Sequence, residues 1–162
     1  MSISVIVDTS DFGDVFRKLR PLTDFDEVEL MSTLGALGES QTRRRISEEK
    51  TSPDGAAWPA NLQGTPILVE TGQHLLYSIA WTASASEAEW GSTWQYAHVH
   101  QTGMTITPRN GEALKFWWQS RGRVNFAVAK SVTIPARTFV GLSADNRQEI
   151  IDVVTDMLGV MQ

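Results

Sequence analysis

The alternation of apolar and polar positions divides the chain into helical ends and a β-rich middle. Ser2 to Asp8 places Ile3, Val5 and Val7 on one side of a short strand. Asp11 to Arg20 fits one short helix, stopped before Pro21 because the residue ahead of a proline avoids the α region. From Asp24 to about Lys50 the period becomes helical, with Leu30, Leu34 and Leu37 at three- and four-residue spacing. Asp24, Asp26, Glu27 and Glu29 crowd its start and Arg43, Arg44 and Arg45 its end, the arrangement a helix dipole favours. Gly35 and Gly38 each cost that helix about 1 kcal/mol relative to alanine. Their presence implies close packing against another element or a weakly formed middle.

Thr51 to Thr65 (TSPDGAAWPANLQGT) is a loop by its Pro, Gly, Asn and Asp content, with Trp58 as its anchor to the core. Thr71 is the N-cap of a one- or two-turn helix with Leu75 or Leu76 inward. Ile79 to Ala85 and Glu87 to Ser92 are paired strands, with Trp81 and Trp90 as cross-strand aromatics. Tyr96 to Gln101 is a short element, apolar on one side, that ends at Gly103. Ala113 to Pro135 carries the alternating runs LKFWW and VNFAVAKSVTI around SRGR, a long β-hairpin. A last helix runs from Ser143 or Asp145 to Val160, with Ile150, Val154, Met157, Leu158 and Met161 on a stripe meant for burial. Asp145, Glu149, Asp152 and Asp156 fall nearly opposite, either as a solvated face or as a surface that meets a basic partner.

These elements predict an α+β fold. A small antiparallel sheet with a long projecting hairpin packs against a long helix in the N-terminal half and an amphipathic C-terminal helix. At 162 residues the chain suits one domain. Residues 11–50 are mainly helical, 51–70 a loop, 71–142 mainly β with the hairpin over about 109–137, and 143–161 the C-terminal helix.

Composition removes several functions. With 14 basic and 19 acidic residues the net charge is −5, against a general nucleic-acid binder but not against a local basic patch. The absence of cysteine excludes a disulfide scaffold, a thiol nucleophile and a thiolate-ligated metal. No signal peptide is visible at the N-terminus, and no apolar run approaches the ~18–20 residues that span a bilayer, so a soluble protein made in a cytoplasm is expected.

Catalytic signals are equally sparse. His98 and His100 would share one side of a strand as a possible metal pair, but no histidine follows to complete a ligand set. No G-x-S-x-G, P-loop, G-x-G-x-x-G or H-E-x-x-H appears. A metal-dependent hydrolase is therefore the remote alternative. No cofactor is expected.

Local charge is more informative. Between Arg109 and Arg137 stand six bases (Arg109, Lys115, Arg121, Arg123, Lys130 and Arg137) and one acid, Glu112. Phe116, Trp117 and Trp118 precede the tip, though neighbours on a strand face opposite sides, so only part of the set shares a face. Such an arm suits insertion into a neighbouring protein, with aromatics as anchors, better than direct binding of nucleic acid.

Five segments in order carry a resemblance. They are Arg43-Arg44-Arg45; Pro53-Asp54-Gly55 with Trp58; Thr71-Gly72 with Leu75 or Leu76 and Ser78-Ile79; Tyr96-Ala97-His98-Val99-His100-Gln101-x-Gly103; and Ile134-Pro135-Ala136-Arg137 through Ser143. Over residues 30–162 the chain resembles the phage virion morphogenesis family, the tail completion proteins of Mu-like and related tailed phages. The resemblance implies a non-enzymatic virion protein at the neck where tail meets head, assembled in the host cytoplasm. It implies a ring of identical subunits, six by the pattern of long-tailed phages. The ring would contact neighbouring neck, connector or tail-tube proteins and DNA in the channel, with no membrane partner. A minor tail or baseplate component is the other structural reading.

From the residues themselves, Tyr96, His100, Gln101 and Arg137 hold the hairpin base by hydrogen bonds, or His100 and Arg137 face a subunit interface. Gly103 redirects the chain into the hairpin and Pro135 ends the returning strand. The acids Asp145, Glu149, Asp152 and Asp156 offer a surface for the basic hairpin of a neighbour. The hairpin contributes Arg109, Lys115, Trp117, Trp118, Arg121, Arg123 and Lys130 to that neighbour or to the DNA channel.

Overall fold

The computed structural model describes residues 26–69, 73–120, 122–157 and 159. The strand expected over Ser2–Asp8, the helix over Asp11–Arg20, the Thr71 N-cap with Gly72, the hairpin-tip Arg121, and Leu158, Val160 and Met161 lie outside them.

Helix α1 (Glu27–Arg44) begins where the Asp26 carboxylate accepts hydrogen bonds from the amides of Val28 and Glu29, at 2.9 and 3.0 Å. It continues without a break into a π-helical turn, Arg45–Glu49, which ends at Lys50 in the left-handed region (φ 56°). The inward side of α1 is made of small and polar residues: Gly35, Gly38, Gln41 and Thr42 are all buried, with Leu30. That composition follows from what lies on it. Strands β1 (Ile79–Ala83) and β2 (Ala88–Ser92) form an antiparallel ribbon in which Trp81 stands directly opposite Trp90. A Cβ on Gly35 would sit 2.6 Å from Trp81 Cε3, and one on Gly38 would overlap the Trp90 indole. Of the two readings of these glycines, close packing is the one observed.

A short helix α2 (Gln73–Tyr77) turns its Leu75 into the core, while Leu76 is half-buried. The core itself gathers Ile46, Trp58, Leu75, Ile79, Ala97 and Phe139 from five parts of the chain. Helix α3 (Ala97–Thr102) replaces the strand expected at Tyr96–Gln101. Alternation over six residues does not separate a strand from a single helical turn and a half, and here Ala97 and Val99 are the buried pair.

Among the described residues the β-structure falls into three two-stranded antiparallel ladders rather than one sheet. Strand β3 (Met104–Ile106) pairs with β6 (Val132–Ile134), and between them β4 (Leu114–Ser120) pairs with β5 (Arg123–Ala129). The hairpin expected over about 109–137 is thus an arm of two ladders in series. Residues 107–113, with Pro108 and Gly111, interrupt one side, because proline lacks the amide a ladder needs. At the tip Ser120 stands opposite Arg123, and Gly122 has φ 74°.

Helix α4 (Ala144–Met157) packs on α1. Its expected burial stripe is only half-buried at Ile150, Val154 and Met157, and Asn146 is its one fully buried residue among those described. Among the described elements α1 is its main packing partner, and they place no second layer on the stripe.

Candidate functional site

The motif residues converge on one stretch of backbone, Ile134 to Gly141. Gly103, at φ 73°, lies so close to it that an added Cβ would be 2.8 Å from the Ala136 amide nitrogen. The Gln101 side chain imitates a strand partner: its Oε1 accepts from the amides of Phe139 (3.0 Å) and Val140 (3.1 Å), and its Nε2 donates to the Val140 carbonyl (2.9 Å). The Trp58 indole donates to the Thr138 carbonyl at 3.2 Å. Pro53 lies under Gly141, where a Cβ would come within 2.7 Å of its Cγ. The Asp54 carboxylate accepts from the Ala56 amide, and Gly55 takes φ 85°, so the Pro53-Asp54-Gly55 turn is held to that place. Pro135 follows the last residue of β6, as expected.

Arg137 belongs to this scaffold and not to the basic surface. Only 5% exposed, it donates from Nε to the Pro59 carbonyl (3.0 Å) and from Nη2 to the Ala60 carbonyl (3.2 Å). Its own amide donates to the His100 carbonyl at 2.7 Å. Burial lowers its pKa, but carbonyl acceptors give the charge the partners it needs. His100 stacks on Trp94, with ring centroids 5.9 Å apart and planes 13° apart. Its buried Nδ1 finds no hydrogen-bond partner among the described residues. Burial, and secondarily the nearby Arg137 charge, hold its pKa below the usual histidine value. The hydrogen-bonded base therefore includes Gln101 and Arg137 through their side chains and His100 through its backbone. Tyr96 departs from the expectation. It is 53% exposed and meets only the edge of Trp94, because it stands one position before α3 and leaves the inward places to Ala97 and Val99.

The helical placement also undoes the metal pair. Two positions on a helix are about 200° apart, so His98 points out, its Nδ1 3.0 Å from the Gln95 carbonyl oxygen, while His100 points in. No group of three or more metal-ligating side chains occurs among the described residues.

A second constellation was not foreseen from the sequence, which assigns Arg43, Arg44 and Arg45 to the helix dipole and to the family pattern but gives them no partners. Each takes a different direction. Arg43 donates to the carbonyls of Leu76 (2.9 Å) and Ile79 (2.8 Å). Arg44 pairs with Glu49 and with Glu149 on α4, at 3.0 and 2.9 Å. Arg45, 1% exposed, donates to the carbonyls of Phe139 and Gly141 and to the Asn146 side chain. Three successive helical positions span most of a turn, so one short run ties α1 to three segments. A run of arginines beyond what a dipole needs is the signal that could have shown this.

The acidic stripe of α4 is divided by the same contacts. Glu149 accepts from Gln41 Nε2 (2.7 Å) and from Arg44, and the Gln41 bond, followed by Arg44, lowers its pKa against the opposing effect of burial. Asp145, Asp152 and Asp156 are exposed, with Asp152 accepting from Gln148.

The arm presents the rest. Phe116 and Trp118 stack on its inner face, centroids 5.8 Å apart, and Ser120 there donates to the Gln63 carbonyl. Trp117 stands on the outer face opposite Phe126, and the two are 70% and 64% exposed. Arg109, Lys115, Arg123 and Lys130 are all exposed.

The sequence model of the phage virion morphogenesis family matches residues 7–159. The chain belongs to that family. No curated protein and no solved structure matches it. Membership gives the chain a part in building a phage virion, and it suits a site made of scaffold residues and a bare arm. No helix among the described residues is long and apolar enough to cross a membrane.

Proposed function

We propose that this virion morphogenesis protein is a tail completion subunit, a structural, non-enzymatic component that joins tail to head as a ring at the phage neck. The observation that carries the reading is the division of labour in the fold. Family-motif residues within the described part are largely spent on fixing Ile134–Gly141, the root of the arm, while the arm itself carries bare aromatics and bases. A fixed root beneath an exposed arm suits a subunit that grips neighbours. Identical subunits in head-to-tail contact close into rings, and six copies match the resemblance. Neck, connector or tail-tube proteins are the neighbours expected above and below.

Disabling the gene in a phage that encodes the protein tests this directly. Electron microscopy should show filled heads and full-length tails accumulating side by side, unjoined. Tails of altered length, or tails lacking a distal structure, would move the protein to the tail or baseplate.

A further inference from the structure

Two faces stand bare among the described residues, and they differ in kind. The outer face of the β4–β5 arm presents Trp117, Val124, Phe126 and Val128, each more than half exposed, with Lys115 beside Trp117. An exposed aromatic offers most of its ~150–250 Å² to a partner, so this patch reaches the size that on protein surfaces is often functional. The β1–β2 ribbon turns Trp81 and Trp90 toward α1. Its other face carries Ala80, Thr82, Glu89 and Gly91, and these, together with Trp81 and Trp90, line an open, mainly apolar groove of about 620 Å³ bordered by Val140 and Gly141.

We infer that the two faces are halves of one contact, in which the arm of one copy lies on the ribbon of the next. The inference rests on the ring reading and deepens it by naming the surfaces. Large side chains on one face meet small ones on the other. Lys115 and Glu89 carry opposite charge and lie on the two contact faces, which sets orientation, while the aromatics supply most of the affinity. The arm's outer face has only that one base among its described ladder positions, so it suits an apolar protein surface better than a phosphate backbone. Gly91 supplies an independent reason. It does not have positive φ, and nothing among the described residues lies within 4 Å of where its Cβ would stand, so the packing they make does not require glycine there. Glycine weakens a strand interior and often marks the close approach of another molecule. The two faces are different surfaces of one subunit, so the contact is head-to-tail and propagates.

The cysteine-free chain makes the test clean, because every disulfide forms at introduced positions. Full-length Lys115→Cys and Glu89→Cys proteins, mixed and oxidised, should give a covalent dimer that neither gives alone. The double variant should give a ladder extending beyond the dimer. A separate variant, Gly91→Val, should keep the wild-type unfolding midpoint yet weaken self-association about thirtyfold, the scale of a lost interface anchor. Trp117→Glu should do the same. An oligomer that forms without the cross-link overturns the contact, as does a double variant that closes only on itself or stops at the dimer. Unchanged self-association in both Gly91→Val and Trp117→Glu overturns it too. A wild-type protein that stays monomeric at every concentration, with mixed cysteine variants that stay uncross-linked, also overturns it, while the neck reading is judged separately by the unjoined heads and tails.

Discussion

His100 shows what one residue can lose by being placed well for packing. Its ring fills the space beside Trp94, but Nδ1 is left without a partner among the described residues and Arg137 lies near. The folded state therefore binds a proton less readily than the unfolded chain, whose histidine titrates near pH 6.5. Above that pH both states are neutral and the residue adds no pH dependence. As pH falls below it, the unfolded chain takes up the proton first, so stability declines until the folded pKa is passed. We predict that the unfolding midpoint falls between about pH 7 and pH 5, and that His100→Gln flattens the fall. Glu149 also has a lowered pKa, so its contribution is lost at still lower pH, below the ordinary glutamate range, and the two effects separate in a titration of melting temperature. A profile identical in wild type and His100→Gln would show that the buried nitrogen is not what the titration reads.

Helix α1 and the β1–β2 ribbon depend on glycines that helix propensity alone would disfavour. Alanine at Gly38 gains about 1 kcal/mol of propensity, but its methyl would occupy the place of the Trp90 indole, held in turn by the ribbon and the helix. Overpacking of this kind costs about 1–3 kcal/mol. Gly38→Ala should therefore lower stability in denaturant titration, and Gly38→Ala combined with Trp90→Phe should recover part of the loss. An equal or higher midpoint in Gly38→Ala alone would mean that the helix and ribbon separate easily. The contrast with Gly91 is informative: two glycines on neighbouring elements, one required by the fold and one not.

Across the molecule, the arginine run makes α1 a hub, and α4 is attached to it partly by Glu149. Charge reversal of that acid therefore acts inside the subunit. Glu149→Lys sets a cation beside Arg44 and removes the acceptor of Gln41, and should cost about 1 kcal/mol after allowance for solvent at these half-exposed groups. Asp152→Lys and Asp156→Lys should stay within about 0.5 kcal/mol of wild type, as exposed substitutions generally do. Thermal unfolding of the three variants checks the order. If all three are equally neutral, the contact between α1 and α4 contributes little. Of the four acids, Asp152 and Asp156 are the ones whose reversal reports cleanly on a neighbouring subunit, because Asp145 lies in the first turn of α4, where the helix dipole favours an acid.

The sequence by itself determined what depends on short range. Trp81 opposite Trp90, the acid-capped start of α1, the arm around Ser120–Arg123 and the turn at Gly103 were legible because residue period, capping and left-handed φ are local properties. The order of the five motif segments likewise pointed to the family. Only the tertiary structure decided where those segments meet. Arg137 fits both a hydrogen-bonded hairpin base and a subunit interface until Pro59 and Ala60, nearly eighty residues earlier, supply its acceptors. Glu149 reads as one of a stripe until Arg44 reaches it from α1. His98 and His100 read as a pair until the backbone between them proves helical. In each case the local pattern fits two outcomes, and the tertiary contacts select between them.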